Sequence, residues 1–226
     1  MRSRTSIAAQ ARSGLTQPET SSHSALDCEA GMHSHFELVG QEIKGFFYDS
    51  PTADACDGCG LVLNGEWTNL DFEVGPQALD FGFSYDDAAL VSMKCASLIG
   101  DWPGVQLVEL PRSPGWYHLA CSQILSYDGR RGRLQQLRVC TTCRRFREVF
   151  APFTACLSPG VAVPDGLART DAVFGSAYDH PEQKKAQSPS LLVNAEFAGK
   201  LIGGSIVGLS MREGRCEPER TTESVQ

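Results

Sequence analysis

The chain has 226 residues, 42% of them hydrophobic, a composition that is ordinary for a globular protein and excludes wholesale disorder. Its formal net charge of −7 argues against nucleic acid as the main partner. The apolar stretch from Leu201 to Met211 is far shorter than the roughly 20 residues that a membrane-spanning helix needs. Since the N-terminus carries no continuous apolar signal segment either, we expect a cytoplasmic protein without a membrane anchor.

The two ends of the chain lack hydrophobic periodicity. Residues 1–31 are rich in Ser, Thr, Ala and Gln and are predicted to be disordered, as is the tail at 214–226. Met32 directly precedes the first patterned segment, HFELVGQEIKGFFYD, so one hypothesis is that translation starts there. Residues 32–213 are predicted to form one α+β domain.

The first motif along the chain is a cysteine knuckle, a tight turn that holds the pattern Cys-x-x-Cys. It comprises Cys56, Asp57, Gly58, Cys59 and Gly60. Glycines at these positions suit a turn that needs positive φ and bring backbone N–H groups close to the sulfurs. The pair supplies half of a tetrahedral metal site.

Acidic residues dominate the segment that follows the first knuckle. Between Leu61 and Pro111 there is a single base, Lys94. The acids of this segment are Glu66, Asp71, Glu73, Asp80, Asp86, Asp87, Asp101 and Glu109. The Asp86-Asp87 pair is interpreted as a solvated turn that favours the start of a helix.

A weak internal repeat links residues 89–111 with residues 191–213. Both read as a strand, a short amphipathic helix, a glycine turn and a second strand. Ser92 and Asn194 stand at the helix N-cap positions, and Gly100 and Gly203 are predicted to be left-handed C-caps. The fold class is therefore α+β, with mixed or antiparallel sheets, short helices and two strand–helix–strand units. The units define two related lobes, at about 60–111 and 165–213.

Between the repeat copies the sequence predicts strands over Trp116–Leu125 and Leu134–Val139, joined as a hairpin by SYDGRRGR. The second knuckle, Cys140-Thr-Thr-Cys143, follows directly, but Arg144 stands after it in place of a glycine. The next segment, RRFREVFAPF, suits either a short strand or a helix stopped by Pro152.

Zinc in structural sites takes four ligands in a tetrahedron and prefers cysteine thiolates. We therefore predict a shared structural zinc site that joins the two parts of the domain as a clamp, with ligands Cys56, Cys59, Cys140 and Cys143. Thiol redox chemistry and a lost or partly formed site remain alternatives. No nucleotide-binding or hydrolase motif is present, and no catalytic residue is assigned.

The remaining candidate residues are interpreted as structural. Cys95 and Cys121 lie in apolar surroundings typical of small core residues, and Cys28, Cys156 and Cys216 stand outside any Cys-x-x-Cys spacing. His118 is interpreted as a satisfied histidine on a strand, and His180 as solvated. Seven arginines lie between 130 and 147; a solvated or ion-paired face is favoured over nucleic-acid contact.

Together these patterns resemble the double-CXXCG motif proteins of myxobacteria and related soil bacteria. The resemblance covers about residues 33–213 and depends on FELVGQEIKGFFYDSPTADACDGCG, the second knuckle and SPSLLVNAEFAGKLIGGSIVGLSMRE. The closing segment is also similar to the myxobacterial immunity proteins of polymorphic toxin systems. Arg144 departs from this family, whose second motif ends in glycine.

The resemblance implies a non-enzymatic immunity protein that binds and neutralises a cognate toxin. The acidic segment from Glu66 to Glu109 is the candidate surface for capturing a basic toxin such as a nuclease, and an ordinary solubilising surface is the alternative. A zinc-ribbon-like nucleic-acid-associated module and an uncharacterised metalloprotein with an open zinc position are the other hypotheses.

Overall fold

The computed structural model describes residues 35–177 and 184–216. Eleven strands and two short helices make up this part of the chain. In chain order they are β1 (His35–Ile43), β2 (Phe81–Ser84), β3 (Ala89–Ser92), α1 (Met93–Ile99), β4 (Val105–Glu109), β5 (Trp116–Cys121), β6 (Ile124–Leu125), β7 (Gln135–Val139), β8 (Phe146–Phe150), β9 (Leu167–Ser176), β10 (Ser188–Asn194), α2 (Ala195–Gly203) and β11 (Leu209–Glu213). The predicted α+β class with a mixed sheet is confirmed, and strands dominate it.

One continuous ladder joins the strands in the order β4-β5-β3-β2-β1-β10-β9-β8-β7, with β11 paired to β1. Two pairings are parallel, β1 with β2 and β6 with β9, and all others are antiparallel. Because β6 follows β5 after two residues and pairs with β9, the ladder returns on itself. The strands β5/β6, β3, β2, β1, β10 and β9 therefore form a hydrogen-bonded ring.

Both helices pack against one hydrophobic core. Inward-facing side chains of the ring, such as Val91, Leu119 and Val193, share this core with Cys95 of α1 and Phe197 of α2. Burying such side chains contributes roughly 1.5–3 kcal/mol each, so this core is the main stabilising feature of the ring. A second core packs Leu90, from the opposite face of β3, against the 43–74 segment.

The two repeat segments have the same strand register. β3 and β4 lie on either side of β5, and β10 and β11 lie on either side of β1. In each segment, the helix N-cap residue pairs with one residue of the middle strand, and the first residue of the last strand pairs with another. In both segments these two residues of the middle strand are five positions apart. The pairs are Ser92 with Trp116, Val105 with Cys121, Asn194 with His35, and Leu209 with Gly40.

The predicted helix N-caps are confirmed. Gly100 ends α1 as predicted but is not left-handed, and the predicted end of α2 at Gly203 is wrong. The side chains of Ser92 and Asn194 accept hydrogen bonds from the third N–H of each helix. However, Gly100 has φ −58°, and α2 continues through Gly203 to a cap at Gly204 with φ −73°. No left-handed residue follows the cap of α1 directly, since the next one is Gly104. Ser205, with φ 50°, stands directly after the cap of α2 and donates its N–H to the carbonyl of Ile202, so α2 ends in left-handed backbone two residues beyond the predicted Gly203.

The predicted hairpin between residues 116–125 and 134–139 is wrong. β5 pairs with β3 and β4, and β6 pairs with β9, whereas β7 pairs with β8. The real hairpin turn is the second knuckle itself, because it reverses the chain between β7 and β8. The segment RRFREVFAPF contributes the strand β8 and no helix.

Several predictions fall wholly or partly outside the described residues. Residues 1–34, His180 and residues 217–226 belong to that group, so their predicted disorder or solvation stays untested. In the described part of the tail, Gly214 donates its N–H to the carbonyl of His35 and Cys216 forms a disulfide. The predicted frayed tail therefore does not begin at residue 214. Neither helix of the described chain is long and apolar enough to cross a membrane.

Candidate metal centre

The first knuckle is a closed turn at the end of a short hairpin. The N–H of Gly60 donates to the carbonyl of Cys56 at 2.7 Å, and the N–H of Cys56 donates to Leu61 at 2.9 Å. Gly60 has φ 73°, a backbone conformation that costs a non-glycine residue roughly 1–2 kcal/mol. The expected positive φ is thus present at Gly60.

Gly58 is required for a different reason from the one predicted. It is not among the positive-φ residues; instead, a Cβ on Gly58 would collide with the side chain of Thr142 in the second knuckle. The absence of a side chain at Gly58 lets the two knuckles approach each other closely. A steric need of this kind, between residues far apart in sequence, is invisible in a local pattern.

The second knuckle repeats the hydrogen bonds of the first. The N–H of Arg144 donates to the carbonyl of Cys140 at 3.0 Å, and the N–H of Cys140 donates to the carbonyl of Arg145 at 2.9 Å. Arg144 has φ 64°, close to the 73° of Gly60. The backbone therefore adopts the glycine conformation at the position where the sequence has an arginine.

The four predicted ligands come together although the two knuckles are 84 residues apart. Their sulfur atoms all lie within 4.8 Å of one another. The Sγ atoms of Cys56 and Cys140 are 3.8 Å apart, as are those of Cys59 and Cys143. Zn–S bonds of about 2.3 Å in a tetrahedron place sulfurs about 3.8 Å apart, whereas a disulfide requires about 2.05 Å. The cluster therefore fits a tetrahedral metal ion.

The environment of the thiols differs between the two knuckles. Backbone N–H groups of Cys143 and Thr142 point at the Cys140 sulfur and lower the pKa of that thiol to about 6. Burial raises the pKa of the Cys59 thiol to about 12. A bound divalent cation would favour the thiolate form of all four ligands and so override this difference.

The knuckles are also held together by contacts outside the sulfur cluster. The guanidinium of Arg145 donates to the carbonyl of Leu63 at 2.9 Å and to that of Val62 at 3.5 Å. Leu61 and Ala177 pack against the buried cysteines. The residues after the second knuckle therefore bind the residues after the first through direct hydrogen bonds, which need no metal.

The other predicted structural residues behave as expected. Cys95 and Cys121 are buried in the main core. His118 is buried, with Nδ1 at 2.9 Å from Oγ1 of Thr68, and burial lowers its pKa to about 4. It is therefore a neutral, hydrogen-bonded histidine at pH 7.

A disulfide between Cys156 and Cys216 was missed by the sequence analysis. The two residues are 60 positions apart and belong to no short spacing that would have indicated a pair. Disulfides persist mainly in oxidising compartments. The expected cytoplasmic location consequently stays a prediction, and the state of this pair in the cell bears on it.

The acids of the acidic segment differ in exposure and pairing. Asp86 is buried and accepts hydrogen bonds from the N–H groups of Phe47 and Tyr48, each at 2.7 Å, so it is not a solvated turn residue. Four other acids have basic partners. The ion pairs are Glu66–Arg169, Asp71–Arg112, Glu73–Arg112 and Asp80–Lys94. Asp87, Asp101 and Glu109 are the exposed acids outside these pairs.

Comparison with known proteins leaves the chemistry of the site as the main guide to function. No protein-family model matches this chain, and no curated protein shows significant similarity to it.

Proposed function

We propose that this protein is a non-enzymatic, immunity-type binder of a protein toxin, and that a structural zinc ion in its four-cysteine cluster holds its fold. The supporting observation is the matched geometry of the two knuckles, with the same two hydrogen bonds and left-handed backbone at Gly60 and Arg144. This match supports the resemblance to double-CXXCG proteins at the one position where the sequence departs from it. Four thiol donors favour a closed structural site over an open catalytic one.

The zinc ion would join the segment after β1 to the β7–β8 hairpin and so stabilise the folded chain, because the four ligands come together only on folding. Structural zinc sites contribute folding free energy outright. The predicted clamp therefore has a stabilising role, and toxin binding would depend on it only through the fold.

Metal analysis tests the zinc assignment. We expect one zinc per chain and a cobalt-substituted form with the spectrum of tetrahedral sulfur ligation. Cys140→Ser should lose zinc and lower the thermal midpoint. The matched control is Cys95→Ser, also a buried cysteine but remote from the cluster, which should keep zinc. Zinc retained at full stoichiometry in Cys140→Ser would contradict the assignment.

Co-expression tests the immunity role. The products of genes adjacent to this one should include a polypeptide that is lethal alone and tolerated when this protein is present, with a complex recovered from the cells. A folded, zinc-containing protein that neither binds nor protects against any neighbouring gene product would overturn the proposal.

For a basic toxin, the exposed acids at one edge of the sheet are the candidate contacts. Asp101→Lys with Glu109→Lys should weaken binding and reduce its salt dependence, because both side chains are exposed, the first in the loop between α1 and β4 and the second at the end of β4. Lys94→Glu is no suitable control, since it would break the ion pair with Asp80. Unchanged affinity and salt dependence would exclude this surface.

We also infer that the two strand–helix–strand units, each with its middle strand, are copies of one ancestral unit. Beyond the shared register, Gly104 and Gly208 precede the last strand of each unit with φ 82° and 89°. Each N-cap side chain is bound by an aspartate: Ser92 donates to Asp80 at 2.8 Å, and Asn194 donates to Asp165 at 3.1 Å. Such details agree more closely than two unrelated strand–helix–strand units would.

A further inference from the structure

A cavity of about 590 Å³ lies inside the ring of strands. Five of the six ring strands line it, namely β2, β3, β5, β9 and β10. Its floor is the top of the main core, since Ala89, Leu119 and Leu191 belong to both. Its roof consists of the residues that follow the two knuckles, including Leu63 and Phe146. The volume is within the roughly 300–1,000 Å³ of small-molecule sites, and barrel mouths commonly hold such sites.

The walls are mostly apolar. Phe83, Leu119, Val173 and Leu191 project from four different strands of the ring into the cavity. Apolar side chains from all sides suit the hydrocarbon or aromatic body of a ligand, because each Å² of apolar surface removed from water contributes about 25 cal/mol.

One cation reaches this apolar cavity from β9. The Arg169 side chain is 17% exposed, and its Nε donates to the carbonyl of Cys121 at 2.9 Å. Arg169 on β9 pairs with Leu191 on β10, and Phe83 on β2 pairs with Ala89 on β3. Leu191 and Ala89 hold the same position in the two strand–helix–strand units, three residues before the helix N-cap. The ring thus carries an arginine at the position that holds a phenylalanine in the related unit.

The ion pair between Arg169 and Glu66 is weak. Glu66 contacts the guanidinium at 2.8 Å, but its own side chain is 72% exposed. An ion pair with so exposed a carboxylate contributes little to stability, because water competes for both charges. A ligand carboxylate can therefore take the place of Glu66 at little cost and form the paired hydrogen bonds that a guanidinium favours.

The second arginine of the lining is already engaged, because Arg145 donates to two carbonyl groups of the roof. Asp171, two residues beyond Arg169 on β9, is exposed and accepts the N–H of Tyr127 at 2.9 Å. Its negative charge disfavours an anion at that end of the cavity. Arg169 is therefore the place where an anionic group would bind.

We propose that this cavity binds a small amphipathic carboxylate, with its apolar body among Phe83, Leu119, Val173 and Leu191 and its carboxylate on Arg169 in place of Glu66. The site is separate from the metal centre and does not depend on the toxin-binding role. No bond is made or broken in this binding.

Calorimetric titration of the full, metal-loaded protein with dodecanoate below its micellar concentration tests the proposal. We expect saturable one-to-one binding, with dodecylammonium of the same chain length binding at least 10-fold more weakly. Arg169→Met should reduce the dodecanoate affinity about 10-fold or more, since it removes the charge-assisted hydrogen bonds to the carboxylate. Arg112→Met is the matched control, because Arg112 pairs with Asp71 and Glu73 on the surface.

Two further variants keep the test decisive if Arg169→Met unfolds. Glu66→Gln, at an exposed position, should raise the dodecanoate affinity severalfold because it releases the guanidinium. Leu119→Trp should fill the cavity and abolish binding. The proposal is overturned if dodecanoate does not bind, if dodecylammonium binds equally well, or if Glu66→Gln and Leu119→Trp leave the affinity unchanged.

Discussion

Arg144 shows how a single residue can occupy a conformation that its type disfavours. Its φ of 64° is left-handed, and the same turn in the first knuckle uses Gly60. With the proposed zinc ion bound by four thiolates, the site would carry a formal charge of −2, and an arginine next in sequence to a ligand would offset part of that charge. The departure from the glycine pattern changes local strain and charge and keeps the turn.

Arg144→Gly should therefore stabilise the metal-loaded protein. Relief of left-handed strain contributes roughly 1–2 kcal/mol, and the greater freedom of glycine in the unfolded chain removes about 0.4–1 kcal/mol of it. We expect a net gain of about 0.5–1 kcal/mol, measured as a higher urea midpoint at high ionic strength, where the charge effect is screened. Gly60→Ala is the reciprocal control and should destabilise; a lower midpoint for Arg144→Gly would contradict the strain argument.

His118 makes stability depend on pH. Its folded pKa is about 4 and its ordinary value is 6.5, so the unfolded chain binds the proton more tightly between these values. Stability should fall by up to about 3 kcal/mol as pH drops from 6.5 towards 4. Because cysteine ligands also take up protons in acid, the measurement is the difference between wild type and His118→Gln. Parallel pH profiles of the two proteins would show that His118 has no such effect.

At the scale of elements, the β3–α1–β4 and β10–α2–β11 units have the same helix caps and glycine turns at equivalent positions. Ser92 and Asn194 cap the helices, and each last strand starts after a left-handed glycine that lies close to a carbonyl of a strand with which it does not pair. A Cβ on Gly104 would collide with the carbonyl of Leu167, and one on Gly208 with that of Phe81. These contacts fix where β4 and β11 enter the sheet.

Gly104→Ala and Gly208→Ala should each lower the free energy of unfolding by a similar amount, about 2–3 kcal/mol, because both combine left-handed strain with a backbone collision. Gly199→Ala is the matched control. Gly199 lies inside α2 with nothing within 4 Å of an added Cβ, so alanine should stabilise there by about 0.5–1 kcal/mol. Chemical denaturation measures all three. A clear difference between the two costs would argue against equivalent roles.

At the scale of the whole molecule, the cysteine cluster, one disulfide and the ring closure bring distant parts of the chain together. The cysteine cluster joins positions 84 apart, and the Cys156–Cys216 disulfide joins the end of the described chain to the loop before β9. The ring closes because β6 pairs with β9, which places β5 and β9 on the same cavity. The cysteine cluster, the disulfide and the cavity thus depend on contacts between distant segments.

Loss of the disulfide should destabilise the protein by about 2–4 kcal/mol, since it closes a 60-residue separation in the unfolded chain. Cys216→Ser should lower the urea midpoint under non-reducing conditions. A phosphine reductant should then lower the wild-type midpoint to that of the variant and leave the variant unchanged. If the reductant lowers both equally, its effect is on the cysteine cluster and the disulfide contributes nothing.

The sequence by itself determined the features that depend on nearby residues. Cys-x-x-Cys spacing selected Cys56, Cys59, Cys140 and Cys143, and polar residues before apolar periodicity identified the helix starts. The predicted hairpin failed for a physical reason: turn residues in SYDGRRGR indicate a chain reversal, but strand partners are chosen by burial. Residues 116–125 pair with β3, β4 and β9 around the main core, whereas every residue of β7 is exposed.

Only the tertiary structure decided which acids reach solvent, which cysteines form a disulfide and where a cavity remains. Asp86 belongs by composition to an acidic surface, yet its carboxylate is buried because two backbone N–H groups from residues 39 and 38 positions away require an acceptor. Arg169 meets Glu66 across 103 residues. Such contacts carry no local sequence pattern, because they depend on the closure of the ring and on the union of the two knuckles.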